Sequence, residues 1–434
     1  MSVADVVWRS KGACQGLDAE IFYPDNEDHA DFAISVCSQC EVRIACLDYA
    51  LDNREQQGIW GATTARDRRR MLRQRKQTAK RGRAMSALDR VGGWSQLLST
   101  LLRGEDLSAD DAQVAMNAVL LGEASSAQIA AFVMALRSKG ETADELQGML
   151  AAVLEVSEPV PLDAKLSASA IDIVGTGGDK SHSVNISTMA AFVVAGAGVP
   201  VCKHGNRAAS SQCGTADVLE ALGVKIDLDG AGVARCVELA GMGFCFAPKF
   251  HPAFRHAGPT RKELGVPTVF NLLGPMANPA QVNYMLVGVG DPSMSHKMAH
   301  AIAGRGVQRA WVVHGHGGLD ELSLSGDCPV VSIDNGSTSE FVLNAKDFGL
   351  QPADVTAVRG GDPAHNAQVI RDTFNGTRGA VRDIVVFNAA AALVVAGVAS
   401  NMADGIERAQ ASIDSGAASS VVDALVKISN SVAK

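Results

Sequence analysis

The chain of 434 residues is 47% hydrophobic, carries 43 glycines and has a formal net charge of −8. It is long enough for two or three domains, and its composition suits a glycine-punctuated α/β protein rather than a fibre or a disordered tail. No apolar run reaches the roughly 18 residues of a membrane span. The N-terminus "MSVADVVWRSKGACQG" has no basic stretch ahead of an apolar core, so no signal peptide is expected and the cytoplasm is the expected location.

Residues 1–85 are polar and cysteine-bearing. Cys14, Cys37, Cys40 and Cys46 follow a C-x22-C-x2-C-x5-C spacing. Four thiolates suit a structural zinc or an iron–sulfur cluster, and the spacing alone does not choose between them. The other five cysteines (Cys202, Cys213, Cys236, Cys245, Cys328) share no ligand-like spacing and read as small buried hydrophobes. Trp8 and "IFYP" flank Cys14, and "GIWGA" at 58–62 forms a glycine-flanked tryptophan turn. Residues 66–83, "RDRRRMLRQRKQTAKRGR", hold ten Lys/Arg and one acid. This +9 block leaves −17 for the rest of the chain. So local a charge is an electrostatic footprint, read either as a DNA-contacting tract or as a solvated helix and linker.

Residues 86–157 read as helices. Ile129, Phe132, Val133 and Leu136 form one apolar stripe. Ser125 with Gln128, and Thr142 with Glu145, fit capping boxes. Residues 157–170, "SEPVPLDAKLSASA", read as a linker. From 171 onward, β-branched runs alternate with small-residue helices, the pattern of a mostly parallel sheet wrapped by helices. The expected division is 1–85, 86–157 and 158–434, with part of 255–275 packed on the helical segment.

"IDIVGTGGD" runs a strand into Gly175, Gly177 and Gly178, where backbone N–H groups can approach an anion. "NISTMAAF" then opens a helix whose N-terminus favours phosphate. This is neither a Walker A loop nor a dinucleotide fingerprint. "VCKHGNRAASSQCG" puts a cation, an amide and hydroxyls at a strand's end, where α/β sheets bind ligands. "GLDELS" sets Asp320 beside Glu321, which suits Mg²⁺ held together with substrate phosphates or, in the plainer reading, a solvated acidic turn.

GTGGD, NIST, KHGNRAASS, "RKELGVPTVFNLLGPMANP" and GLDEL, in this order, make residues 86–434 resemble anthranilate phosphoribosyltransferases of tryptophan biosynthesis. The resemblance implies a helical domain plus an α/β domain of the nucleoside phosphorylase/anthranilate phosphoribosyltransferase type, and a homodimer. It implies 5-phosphoribosyl 1-diphosphate, anthranilate and Mg²⁺ as substrates and cofactor. Gly175, Gly178, Asp179, Ser183, Asn185, Ile186, Ser187, Thr188, Lys203, His204, Gly205, Asn206, Arg207, Ala208, Ala209, Ser210, Ser211 and Thr215 would bind the phosphoribosyl donor. Gly175, Asn206 and Arg261 would bind anthranilate, and Ser187, Asp320 and Glu321 magnesium. Ser183 and Thr215 stand where the family often has Thr and Ser, so each keeps its hydroxyl. His204 is either a proton acceptor or a structural histidine. A pyrimidine nucleoside phosphorylase is the catalytic alternative.

The cysteine spacing, Trp8, the tryptophan turn and the basic block together resemble a WhiB-like transcription regulator over residues 1–83. That implies a small all-α domain with a 4Fe-4S cluster on Cys14, Cys37, Cys40 and Cys46, a sigma-factor partner and DNA binding. The turn departs from the family at Ala62, where glycine is usual. "KRGR" resembles an AT-hook core, so Arg81, Gly82 and Arg83 are candidate minor-groove contacts. Two modules thus meet near "RAMSALDR", with Met85 a residue where a free-standing enzyme could begin. Either an enzyme carries a redox-responsive regulator, or a regulator uses an enzyme domain for ligand sensing or dimerisation.

Overall fold

The structure, a computed structural model, describes residues 8–24, 30–53, 55–72, 86–179, 181–208 and 211–432. The chain divides into two compact units, Met1–Ser86 and Ala87–Lys434.

The first unit is helical among the described residues: a 3₁₀ turn Ala19–Phe22, helices Asp31–Ser38 and Arg43–Asp52, and helical residues 65–72. Thr64 and Asp67 cap the last helix reciprocally, Asp67 N–H donating to Thr64 Oγ1 and Thr64 N–H to Asp67 Oδ2. The core is small: Phe22, Ala30, Ala33, Cys37 and Ile59. Arg68 is only 1% exposed. Its guanidinium donates to the carbonyls of Thr63, Glu55 and Gln57 at 2.8 to 3.3 Å, so it clamps the tryptophan turn. The basic block is therefore not a uniformly solvated charge, because one of its cations is spent inside the fold. Ala62, in that turn, sits at φ 65°, a left-handed conformation that disfavours a residue with Cβ.

The second unit begins with helices Ala87–Arg90, Gly93–Leu102, Ala109–Leu120, Ser126–Lys139 and Ala143–Glu155. Both expected capping boxes form, at Ser125–Gln128 and Thr142–Glu145. The stripe Ile129, Phe132, Val133 and Leu136 is fully buried. Helices Gly258–Leu264 and Val269–Met276 return to pack on Ser126–Lys139. The expected linker at 157–170 is not all irregular: Asp163 caps a short helix Ala164–Ser169, because Ala, Lys and Leu behind a good N-cap favour a turn of helix.

Seven strands form one sheet: β1 Ile171–Gly175, β2 Val201–Gly205, β3 Met242–Phe246, β4 Tyr284–Gly288, β5 Arg309–Val313, β6 Cys328–Asp334 and β7 Ser337–Leu343. Their order is β3-β2-β1-β4-β5-β6-β7. The first five strands run parallel, and β6 and β7 add an antiparallel hairpin. Asn335 and Gly336 both take positive φ at its turn, the geometry that matches strand twist. Helices Ile186–Gly196 and Ala380–Val395 are buried along most of their length. The five dispersed cysteines are all buried. No described helix is long and apolar enough to cross a membrane.

Candidate functional site

Strand order reverses between β1 and β4, and ligands of parallel α/β sheets bind beyond the strands' carboxyl ends at such a switch point. Gly175 ends β1 directly opposite Gly288, which ends β4. A Cβ on either glycine would run into Asp320, so two absent side chains make its slot. Gly177, at φ 66°, donates its N–H to Asp320 Oδ2 at 2.6 Å. Glu321, 9% exposed, accepts the Ser187 N–H at 3.2 Å at the start of helix Ile186–Gly196. The acidic turn is thus not solvated.

Burial and the neighbouring Asp179 push the Asp320 carboxyl up to about 7. Burial and Asp320 push Glu321 up to about 8, against the pull of Lys203. Asp179 itself holds the Ser181 N–H with one oxygen and keeps the other buried without a partner. Three neighbouring carboxylates, with Glu321 buried and Asp179 and Asp320 partly so, are short of positive charge, which is the environment a divalent cation relieves.

Lys203, 1% exposed, is aimed at that deficit. Its Nζ donates to the carbonyl of Ile173 and to Ser187 Oγ. Burial pushes its ammonium down, opposed by Asp172, Glu321 and Asp320. Asp172 is wholly buried: it accepts the His204 N–H at 3.1 Å and the Asn278 side-chain amide at 2.8 Å. His204 Nδ1 faces the Gly274 carbonyl, so it carries the proton and leaves Nε2 as a bare acceptor, buried without a partner. Burial, then His251, hold His204 well below its usual range, and burial takes His251 to about 4.

Thr188 and Thr215 meet hydroxyl to hydroxyl at 3.3 Å, joining the two phosphate loops. Gly205 ends β2 and Asn206 follows it, while Ile186 is buried beneath the helix start. Ser183 lies in the first loop, bridged to Arg359, and Ser211 Oγ contacts the Cys213 carbonyl. Arg207 turns from the cradle to Asp217 and Glu220 at 2.9 and 2.6 Å, while Ala208 N–H is held by Asp217. Arg261 lies over the Phe270 ring at 4.8 Å, and burial pushes its guanidinium down. Ala209, Ser210, Arg81, Gly82 and Arg83 lie outside the described residues.

In the first unit Cys14, Cys37, Cys40 and Cys46 all line one cavity of about 300 Å³, walled also by Phe22, Ile59 and Trp60. Burial raises the Cys37 and Cys46 thiols, and the backbones of Ala62 and Gly61 respectively lower them in part. Ala13 N–H points at Cys40 Sγ at 3.3 Å. No three His, Cys, Asp or Glu among the described residues gather tightly enough for a single metal ion. Four thiols lining one cavity are a donor set that suits an iron–sulfur cluster.

Residues 167–419 match the glycosyl transferase family a/b domain, and 95–157 its helical bundle domain. Anthranilate phosphoribosyltransferase of Salinispora arenicola is 49% identical over 344 residues, 78% of this chain and 97% of the relative. That of Thermomicrobium roseum is 49% identical over 341 residues, 78% and 97%. The chain belongs to the anthranilate phosphoribosyltransferase family. Among solved structures, the family member of Thermus thermophilus superposes with TM-score 0.73 at 39% identity over 77% of this chain and 99% of its own. The Saccharomyces cerevisiae anthranilate phosphoribosyltransferase in complex with PRPP and Mg gives 0.72 at 28%, over 78% and 98%. Residues 8–71 match the family described as transcription factor WhiB, so a regulator-type module precedes the phosphoribosyltransferase.

Within the phosphoribosyltransferase part, sequence reasoning missed Gly288, Asp172 and Asn278. Gly288 carries no chemistry to notice, and the two polar residues read as a strand position and a loop position. An Asp inside an otherwise apolar strand was the available signal for Asp172.

Proposed function

We propose that residues 87–434 transfer phosphoribose from 5-phosphoribosyl 1-diphosphate to the amine of anthranilate, giving N-(5-phosphoribosyl)anthranilate and diphosphate. The observation that carries this is the buried Asp320–Glu321 pair beside Lys203 and Ser187 at the switch point. Ser187, Asp320 and Glu321 would hold Mg²⁺, which when bound offsets charge on the diphosphate. One or two protein carboxylates plus substrate phosphates complete such a site.

The glycine loop and the start of helix Ile186–Gly196 present N–H groups to the phosphates. Lys203 stabilises charge that grows on the leaving group. Arg261 grips the anthranilate carboxylate through two N–H groups, and Asn206 and Gly175 flank it. The aromatic amine is already a nucleophile, so orientation supplies much of the rate. His204 Nε2 is a bare acceptor at the end of β2 whose ring burial keeps neutral. A homodimer is consistent with Leu102 and Leu121, which are 78% and 61% exposed on the helical segment. The cytoplasm is the location that fits such an enzyme.

For the first unit we propose a 4Fe-4S cluster on Cys14, Cys37, Cys40 and Cys46, with DNA and a sigma factor as partners. The shared cavity and the backbone N–H groups aimed at the sulfurs support this. In this reading the modules join near "RAMSALDR", residues 83–90.

Purified full chain mixed with both substrates and Mg²⁺ should consume anthranilate, followed by its fluorescence, and chelation should stop the reaction. No Mg²⁺-dependent consumption would overturn the reading. Anaerobic protein should contain about four irons and four acid-labile sulfides per chain. One zinc and no sulfide would replace the cluster with a structural metal.

A further inference from the structure

Asn185 precedes helix Ile186–Gly196 in the N-cap position, yet its side chain does not cap that helix. Its amide instead spans two phosphate loops. Nδ2 donates to the Cys213 carbonyl at 3.1 Å. Oδ1 accepts from Asn366 Nδ2 at 2.9 Å and from Cys213 Sγ at 3.5 Å. An asparagine amide offers two N–H donors and two lone pairs. Both lone pairs and one N–H are thereby used, and one N–H remains.

Asn366 comes from helix Pro363–Phe374, 181 residues away in sequence, and is 2% exposed. Its own orientation is not free. Gly361 N–H donates to its Oδ1 at 2.8 Å, so its NH₂ end must be the one that faces Asn185. The same segment is laced to the first phosphate loop by Val184 N–H on the Val358 carbonyl and Gly360 N–H on the His182 carbonyl. A backbone N–H thus sets the polarity of the Asn366 amide, which together with the Cys213 carbonyl sets that of Asn185.

Resting on the functional reading above, we infer that Asn366 is a positioning residue for the phosphoribosyl donor: it holds the Asn185 oxygen and so fixes which end of that amide keeps an N–H to offer. Reversal of Asn185 would place a carbonyl oxygen where an anionic phosphate must approach. The two ends of an amide are nearly the same size, so packing alone does not choose between them. The hydrogen-bond relay does. Asn366 reaches the phosphate loops through Asn185 and through the Cys213 thiol, which it also contacts.

The test uses the full chain with Mg²⁺ and steady-state kinetics in both substrates. Asn366→Ala should raise KM for 5-phosphoribosyl 1-diphosphate about tenfold, the order expected for one hydrogen bond to a charged group. It should leave kcat within about threefold and KM for anthranilate within about twofold. Asn366→Asp keeps the bond from Gly361 but cannot donate to Asn185, so it should be worse than Ala, though closer in shape. A packing role predicts the reverse order. In an Asn185→Ala background, adding Asn366→Ala should change the donor KM by less than about twofold, since the two residues act as one unit. A donor KM unmoved by either single variant, Ala worse than Asp, or a double variant that loses the full product of the single effects would overturn the inference. If Asn366→Ala does not fold, as judged by its thermal melt, the isosteric Asp variant decides alone. A wild-type chain that shows no Mg²⁺-dependent saturation by the donor would instead overturn the functional reading and this inference with it.

Discussion

The two units solve opposite problems. Ala87–Lys434 has one continuous core running from Trp94 to Leu425, large enough to place three crowded carboxylates and a buried lysine inside it. Among its described residues, Met1–Ser86 has a small core cluster of Phe22, Ala30, Ala33, Ile59 and the candidate ligand Cys37, beside a cavity of about 300 Å³. A large core can bear the cost of a preorganised polar site. A small one with a hollow centre depends on what fills it. The transferase unit should therefore be folded before its ligands arrive, and the cysteine unit only with them.

The largest effect that would sharpen this contrast is on chemistry. Asp320→Ala or Glu321→Ala should lower transfer by about 10³-fold, as for removal of a principal electrostatic element, and should leave iron content unchanged. Circular dichroism should show an intact second unit. Next, Cys37→Ala with Cys40→Ala should abolish cluster binding and the melting transition of the first unit, while kcat stays within about twofold. A large fall in turnover without unfolding of the second unit would break the comparison and show coupling.

A third effect concerns pH. Asp320 near 7 and Glu321 near 8 lie above their unfolded values, so the metal-free folded state holds more protons than the unfolded one between about pH 4 and 8. Stability of the second unit should fall as pH rises through that window. Mg²⁺ must displace those protons, so its affinity, and the rise in Tm it brings, should grow from pH 6 to 8.5. Scanning calorimetry with and without Mg²⁺ checks both signs. The smallest effect lies in the first unit. Ala62→Gly removes a left-handed alanine and should stabilise that unit by about 1 kcal/mol, read from its melting transition.

The two units also differed in how far their sequences could be read. The capping boxes and the stripe from Ile129 to Leu136 were visible because they follow local period and local hydrogen bonding. The phosphate loops were visible because glycine, lysine and hydroxyl residues cluster where strands end. Asp320 and Glu321 were legible as chemistry, but their burial was not, since it comes from a slot built by two strands, β1 and β4, of which β1 lies more than a hundred residues away. Asn366 was invisible for the same reason. In the first unit the four cysteines could be picked out, whereas Arg68 looked like one more cation of a basic block. Only its three carbonyl partners distinguish it.

The facing glycines at 175 and 288 carry a practical lesson for anyone altering this enzyme. Neither has a side chain to bind, donate or ionise, so a search guided by side-chain reactivity would leave Gly288 free to vary and would value Gly175 for its backbone alone. Yet each would drive a methyl group into Asp320, and the obstruction at Gly288 is backbone, which cannot swing aside. In a mutational library the sharpest intolerance should therefore fall on two positions with no side chain, ahead of several residues that face the ligands directly.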